Sequence, residues 1–181
     1  MAVRKIRHFP DPVLRRKAKK VPAGYASLKK LCDDMIETLQ TVRGAGLAAP
    51  QIGISLRLIV IQLPEEEPFV LINPEVVKRS GERELEEGCL SIPGYWGLVK
   101  RSESVTVKAR DLKGKEVRVK AADLLAQTLE HELDHLNGVL YIDHLKDGET
   151  IHKNKPPEED GFVEDASEVS GDKGKNGVRQ G

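Results

Sequence analysis

The stretch ADLLAQTLEHELDHLNG, residues 122–138, decides how the rest of the chain is read. Leu125, Leu129, Leu133 and Leu136 recur at three- and four-residue steps, the period of a helix with an apolar face. Asp123 stands where a cap would, and Gly138 where a helix stops. Inside this helix lies Glu130-His131-Glu132-Leu133-Asp134-His135. Side chains four apart share one helix face, with Cβ atoms about 5–6 Å apart, so His131 and His135 can reach one divalent ion. Glu132 is one step round, close enough to serve a water held by that ion. Metal-assisted hydrolysis uses this arrangement: the ion acidifies water and a carboxylate moves its proton. The alternative is a helix whose histidines are merely polar. Burying them unpaired, however, costs several kcal/mol, and an ion removes that cost.

Two histidines do not hold a catalytic ion; three protein ligands and an open position are usual. In the longer pattern HExxHxxGxxH the glycine is present as Gly138, but the third histidine position is Tyr141. His144 and His152 are out of register, and Glu149 and Glu158 fall in the polar tail. The remaining soft ligand is Cys89, in Glu86-Glu87-Gly88-Cys89-Leu90-Ser91-Ile92-Pro93-Gly94. Glycine before it and Pro-Gly after it suggest a strand offering its thiol at an open edge. A nucleophilic Cys89 with a histidine base is the competing reading; one shared metal site is simpler.

The chain has 181 residues, 39% of them hydrophobic, enough for one core but barely for two domains. Formal net charge is zero, which gives no global case for nucleic acid and no expectation of DNA binding. Charge is uneven, though: Arg15, Arg16, Lys17, Lys19 and Lys20 cluster near the start. Such a basic end could meet ribosomal RNA, or could simply be a solvated face. Two cysteines are too few for a disulfide framework and fit a reducing cytosol. No apolar run resembles a signal peptide or reaches the twenty or so residues that span a bilayer. The expectation is a cytoplasmic protein with no membrane partner.

Pro10-Asp11-Pro12 forces a turn, and Val13 and Leu14 dock that segment on the body. Ser27 opens an amphipathic helix carrying Leu28, Leu31, Cys32, Met35, Ile36, Leu39 and Val42, with Asp33, Asp34 and Glu37 on its polar side; it ends near Gly44. Cys32 falls on the apolar stripe and reads as core. Small residues fill Gly44-Ala45-Gly46-Leu47-Ala48-Ala49-Pro50-Gln51, where backbone can pass close to a ligand; no helix is expected there. Residues 56–63 and 69–72 read as strands, the second stopped by Asn73-Pro74. Residues 75–86 suggest a hairpin bent at Ser80-Gly81. Residues 104–109 and 116–119 form a hairpin around Lys113-Gly114, and 139–142 a last strand. From 147 to 181 apolar residues are too rare to offset ordering entropy, so a disordered polar tail is expected after a domain spanning 1–146.

Three stretches now stand in order: Gly44 to Gln51, Glu87-Gly88-Cys89-Leu90-Ser91, and His131 to His135. Together with Pro10-Asp11-Pro12-Val13-Leu14-Arg15 they resemble the peptide deformylase family, of the bacterial type, over about residues 4–146. The resemblance implies an α+β fold, with antiparallel β-sheets packed around a central metal-binding helix and an N-terminal amphipathic helix. It implies release of formate from the N-formylmethionine of nascent chains. It implies one Fe(2+) per chain, which Zn2+, Ni2+ or Co2+ can replace, held by Cys89, His131 and His135. Glu132 is then the proton carrier, and the Gln51 amide and the Leu90 backbone N–H donate to the developing oxyanion. The substrate backbone lies along Gly44, Ala45 and Gly46, and Leu124 and Thr128 line the methionine pocket. Glu86 or Glu87 sits near the rim, and Asp134 and Arg101 steady the ligands. Glu130, Gln127, Thr128 and Trp96 depart from the residues usual in the family; Trp96 stands where an arginine is common. The family's docking helix for the ribosome has no counterpart in the tail, leaving the basic cluster for any transient ribosome contact. A zinc peptidase and a structural zinc module are the rival readings.

Overall fold

The computed structural model describes residues 2–145 and 151–153. The order is a short 3-10 turn at Pro12–Arg15, helix α1 (Leu28–Val42), strand β1 (Gly46–Ala48), a 3-10 turn at Ala49–Ile52, β2 (Leu58–Ile61) and β3 (Phe69–Ser80). Then come β4 (Arg83–Cys89), β5 (Ile92–Arg101), β6 (Ser104–Arg110), β7 (Glu116–Ala122), helix α2 (Asp123–Asn137), a 3-10 turn at Tyr141–His144 and β8 (His152–Lys153). The strands form an antiparallel sheet β1-β2-β3-β6-β7 and a smaller antiparallel sheet β4-β5-β8. This is the α+β architecture expected, with α2 at its centre.

The larger sheet is covered on both faces, and β2 shows why. Ile59 and Ile61 pack with Leu129, Leu133 and Leu136 of α2. Leu58 and Val60 pack with Leu31, Cys32, Met35 and Leu39 of α1. A strand buried on both faces reads as an unbroken apolar run, which is how residues 58–61 read. Cys32 is fully buried in the α1 layer, as its place on the stripe requires.

Several local expectations change. β3 does not stop at Asn73-Pro74. The pair sits in a bulge, with Asn73 at φ 53° and a register shift against β6, and the strand continues to Ser80. A bulge accommodates the missing proline N–H. Residues 75–86 are no hairpin, because β3 pairs with β6 and β4 with β5. The glycine-rich stretch contains β1 and then a 3-10 turn rather than open loop. Residues 139–142 make a turn instead of a strand; the Asp143 carboxylate accepts the Leu140 N–H at 2.8 Å. Arg43, not Gly44, takes the left-handed position closing α1. Neither Ser27 nor Asp123 caps its helix through its side chain. Instead, Asp123 Oδ1 accepts from Arg83 at 3.2 Å. Of the expected polar tail, residues 151–153 are described and 152–153 form β8; the remainder lies outside the described residues. Among the described residues no helix is long and apolar enough to cross a membrane.

Asp34 was expected on the solvent side of α1, yet it is fully buried. Arg4 donates to its Oδ2 at 3.0 and 2.6 Å, and the Ala2 N–H to its Oδ1 at 2.8 Å. The Arg4 hydrogen bonds, against the pull of burial, hold its carboxyl at about 2. A carboxyl depressed on folding contributes stability above its unfolded value, near 4, that is lost as pH falls through the folded one. Asp34→Asn therefore flattens the acid limb of stability between pH about 4 and about 2. Urea midpoints measured across that range check it.

Candidate metal centre

α2 places His131 and His135 on one face, as their spacing requires. The Nε2 atoms lie 3.2 Å apart, and His135 Nε2 lies 3.2 Å from Cys89 Sγ. All three donor atoms fall within 4.8 Å of one another. Ligand atoms bound at 2.0–2.3 Å to one tetrahedral ion stand about 3.5 Å apart, so the set fits a single ion. Cys89 arrives from the second sheet, as the last residue of β4, where the chain turns through Leu90-Ser91 into β5. The Ser91 N–H points at its sulfur, 3.4 Å away.

The surroundings leave the ligand atoms exposed to an ion. His131 Nδ1 lies 2.6 Å from Glu87 Oε1. Glu87 carries a carboxylate, so Nδ1 donates and Nε2 keeps its lone pair. Arg101 donates to both Glu87 oxygens at 3.0 and 2.6 Å, and to Asp134 Oδ2 at 2.6 Å. Burial pushes the Glu87 carboxyl up, but the bonds from His131 and Arg101 win and hold it at about 2. Burial also opposes the Arg101 charge, and Glu87 again reverses the sign. His144 Nε2 adds a contact to Asp134 at 2.7 Å. Arg101 and Asp134 are the supports expected from the sequence, with Glu86 or Glu87 near the substrate rim; both glutamates line the cavity. Glu87 is only 5% exposed, and its carboxylate is spent orienting His131. That role is invisible without the cross-strand register that sets Glu87 over α2.

Glu132 stands beside these donor atoms, 3% exposed, and its Oε2 has no hydrogen-bond partner among the described residues. Burial pushes its carboxyl up to about 7, with the nearby His131 charge opposing and Glu87 adding to the rise. A buried carboxyl near neutrality with a free oxygen can both take and return a proton. Gln51 is held by its own loop. Its Oε1 accepts the Ala48 N–H at 2.8 Å, which turns Nε2 toward Cys89 Sγ at 3.7 Å and Ser91 Oγ at 3.3 Å. Ser91, fully buried, was not singled out from the sequence; its place two residues past the candidate thiol was the available signal.

Gly44, Ala45 and Gly46 line one wall of a cavity of about 390 Å³, Glu86 to Leu90 another, and Leu124, Thr128, His131 and Glu132 its floor. Gln51 reaches the same space, so the substrate residues expected from the sequence converge there. Thr128 spends its hydroxyl on the Leu124 carbonyl at 2.8 Å, and its methyl faces Gly46. A polar residue thus presents an apolar surface to the pocket. Glu130, the charged departure, is buried and accepts from Arg79 and from the Ser102 backbone, both at 2.8 Å. Trp96 lies on β5 and stacks on His152.

Gly46 has a specific reason to be glycine. A Cβ there would lie 2.5 Å from Glu132 Oε1 and 2.8 Å from Thr128 Cγ2. Gly46→Ala must displace Glu132, and a misplacement of about 1 Å costs about 10²-fold in rate. A hydrolysis assay at equal metal content checks this.

A model of the family described as polypeptide deformylase matches residues 3–150. A peptide deformylase of Dehalococcoides mccartyi, strain CBDB1, is 54% identical over 160 residues, covering 88% of this chain and 96% of that protein. One from Thermomicrobium roseum is 47% identical, covering 92% and 99%. The crystal structure of a peptide deformylase from Legionella pneumophila superposes with a TM-score of 0.78 at 50% identity, over 80% of this chain and 87% of that one. One from Synechococcus elongatus, in complex with actinonin, gives 0.77 at 41% identity over 80% and 81%.

Proposed function

The chain belongs to the polypeptide deformylase family, and from that premise we propose how its residues carry out the family's reaction. It is a metal-dependent hydrolase that removes the formyl group from the N-formylmethionine of polypeptides, releasing formate. The observation that supports this reading best is the convergence of Cys89 Sγ, His131 Nε2 and His135 Nε2 beside Glu132, whose Oε2 has no partner among the described residues.

Those three atoms would hold one ion, and the chemistry it supplies when bound is acidification of water and polarisation of the formyl carbonyl. Glu132 takes the proton from the attacking water and delivers it to the leaving amine. The Gln51 amide N–H, already aimed at the reacting corner by the Ala48 bond, donates to the developing oxyanion, and the Leu90 N–H is the second donor. The edges of β1 and β4, without a partner strand among the described residues, flank the substrate backbone, with Gly44, Ala45 and Gly46 on the β1 side. Leu124 and the Thr128 methyl receive the methionine side chain, and Glu87 acts through His131.

A thiolate with two imidazoles suits several first-row ions; Fe(2+) is the proposed native one, with Zn2+, Ni2+ or Co2+ able to replace it. The substrates are nascent N-formylmethionyl peptides in the cytoplasm, and the exposed basic residues Arg15 to Lys20 are the surface for a transient ribosome contact. Anaerobic purification, metal analysis and formate release from formyl-Met-Ala-Ser test the proposal. One equivalent of metal and turnover lost on chelation are expected. Full turnover by metal-free protein would overturn the ligand assignment.

A further inference from the structure

The groove beside Glu132 is walled by two strand edges without a partner among the described residues: β1, which pairs with β2, and β4, which pairs with β5. On the deformylase reading, a peptide lying in it is extended, and its successive side chains point to opposite faces. β4 shows the same alternation. Glu87 and Cys89 face α2, while Glu84, Glu86 and Gly88 are exposed on the outer face. The methionine side chain, seated against Leu124 and Thr128, lies on the α2 side. The side chain of the following residue must then project to the outer face.

That face carries apolar surface. Trp96 and Leu98 are the cross-strand partners of Gly88 and Glu86. Trp96 is half-buried and Leu98 is 39% exposed. His152 of β8 pairs with Trp96 and stacks on it, centroids 4.3 Å apart and planes 22° apart, which fixes the indole. From the groove side the space is open. A Cβ added at Gly88 would meet only the Tyr95 carbonyl oxygen, at 3.3 Å.

We infer that Trp96, braced by His152, selects the residue that follows the formylated methionine, favouring an aromatic or large apolar side chain there. This rests on the deformylase reading and adds a preference the metal chemistry does not set.

The test compares kcat/KM for formate release from formyl-Met-Phe-Ser and formyl-Met-Ala-Ser, using the full chain loaded with Fe(2+) under anaerobic conditions. An aromatic contact of this kind corresponds to about two- to tenfold in affinity, so the Phe peptide should lead the Ala peptide by that factor, mainly through KM. In Trp96→Ala the Phe-to-Ala ratio should drop toward one; in Trp96→Phe part of it should survive, and His152→Ala should lower it partway. A ratio of two substrates on one preparation does not depend on the fraction folded. A wild-type ratio near one, or one unchanged in Trp96→Ala, overturns the inference while leaving deformylation intact. No turnover of any formyl peptide by the wild type would instead sink the deformylase reading, and this inference with it.

Discussion

Glu132→Gln lowers kcat for formate release by about 10²–10⁴-fold, the range for loss of a positioned proton carrier. The amide keeps the volume of the carboxylate but cannot accept a proton from water. KM should change little, because Glu132 touches the reacting atoms rather than the peptide backbone or the methionine side chain. Metal content should stay at one equivalent, since the ligand atoms belong to other residues. Stability should not fall, and a rise is the expected direction. Wild-type Glu132 is buried with Oε2 unpartnered among the described residues, and the burial that pushes its carboxyl up penalises a charge that the neutral amide does not carry. Steady-state kinetics, metal analysis and a thermal melt on one preparation check all three. Retention of kcat would remove Glu132 from its role.

Arg101→Ala is the most damaging change away from the reacting atoms. Arg101 and Glu87 are each 4% exposed at the side chain, so the mutation leaves a buried carboxylate without its main partner. Breaking such a pair from one side costs about 3–5 kcal/mol. Asp134 loses its 2.6 Å contact at the same time. His131 then loses the anchored Glu87 that fixes its tautomer, and metal affinity should fall about 10–100-fold. Arg101→Lys should not rescue: one ammonium cannot replace a planar fork that spans Glu87 and Asp134 together. Urea unfolding of loaded and stripped protein separates the two effects, because only the loaded form reports the lost affinity. Wild-type midpoints in both forms would show the bridge to be energetically idle.

How much of this was legible in the sequence differs between the two sheets. α1, α2, β2 and the β6–β7 hairpin follow from periodicity, because each has one consistent pattern of burial. The β4–β5 hairpin did not declare itself. Its inner face holds Glu87, Cys89, Gly97 and Arg101 where apolar residues would normally alternate, since that face is the site wall. Its outer face carries Trp96 and Leu98 where polar residues would be expected. Function thus erases the alternation that would have identified the strands. Asp34 misled for a related reason: flanked by Asp33 and four residues past Lys30, it reads as one of a charged surface set, and only the return of the N-terminal segment reveals Arg4 as its partner. By contrast the convergence of Cys89, His131 and His135 was readable, because HExxH needs only a helix and the thiol only a strand end.

The central helix has one more consequence, in the order of synthesis. α2 begins at Asp123, after β1 to β7 have all left the ribosome. Until it emerges, Ile59, Ile61, Leu71, Val105 and Val107 have no cover on that side. A chain arrested before residue 123 would offer this greasy face to chaperones or to other arrested copies. The helix that brings His131 and His135 together is thus also the piece that closes this core layer.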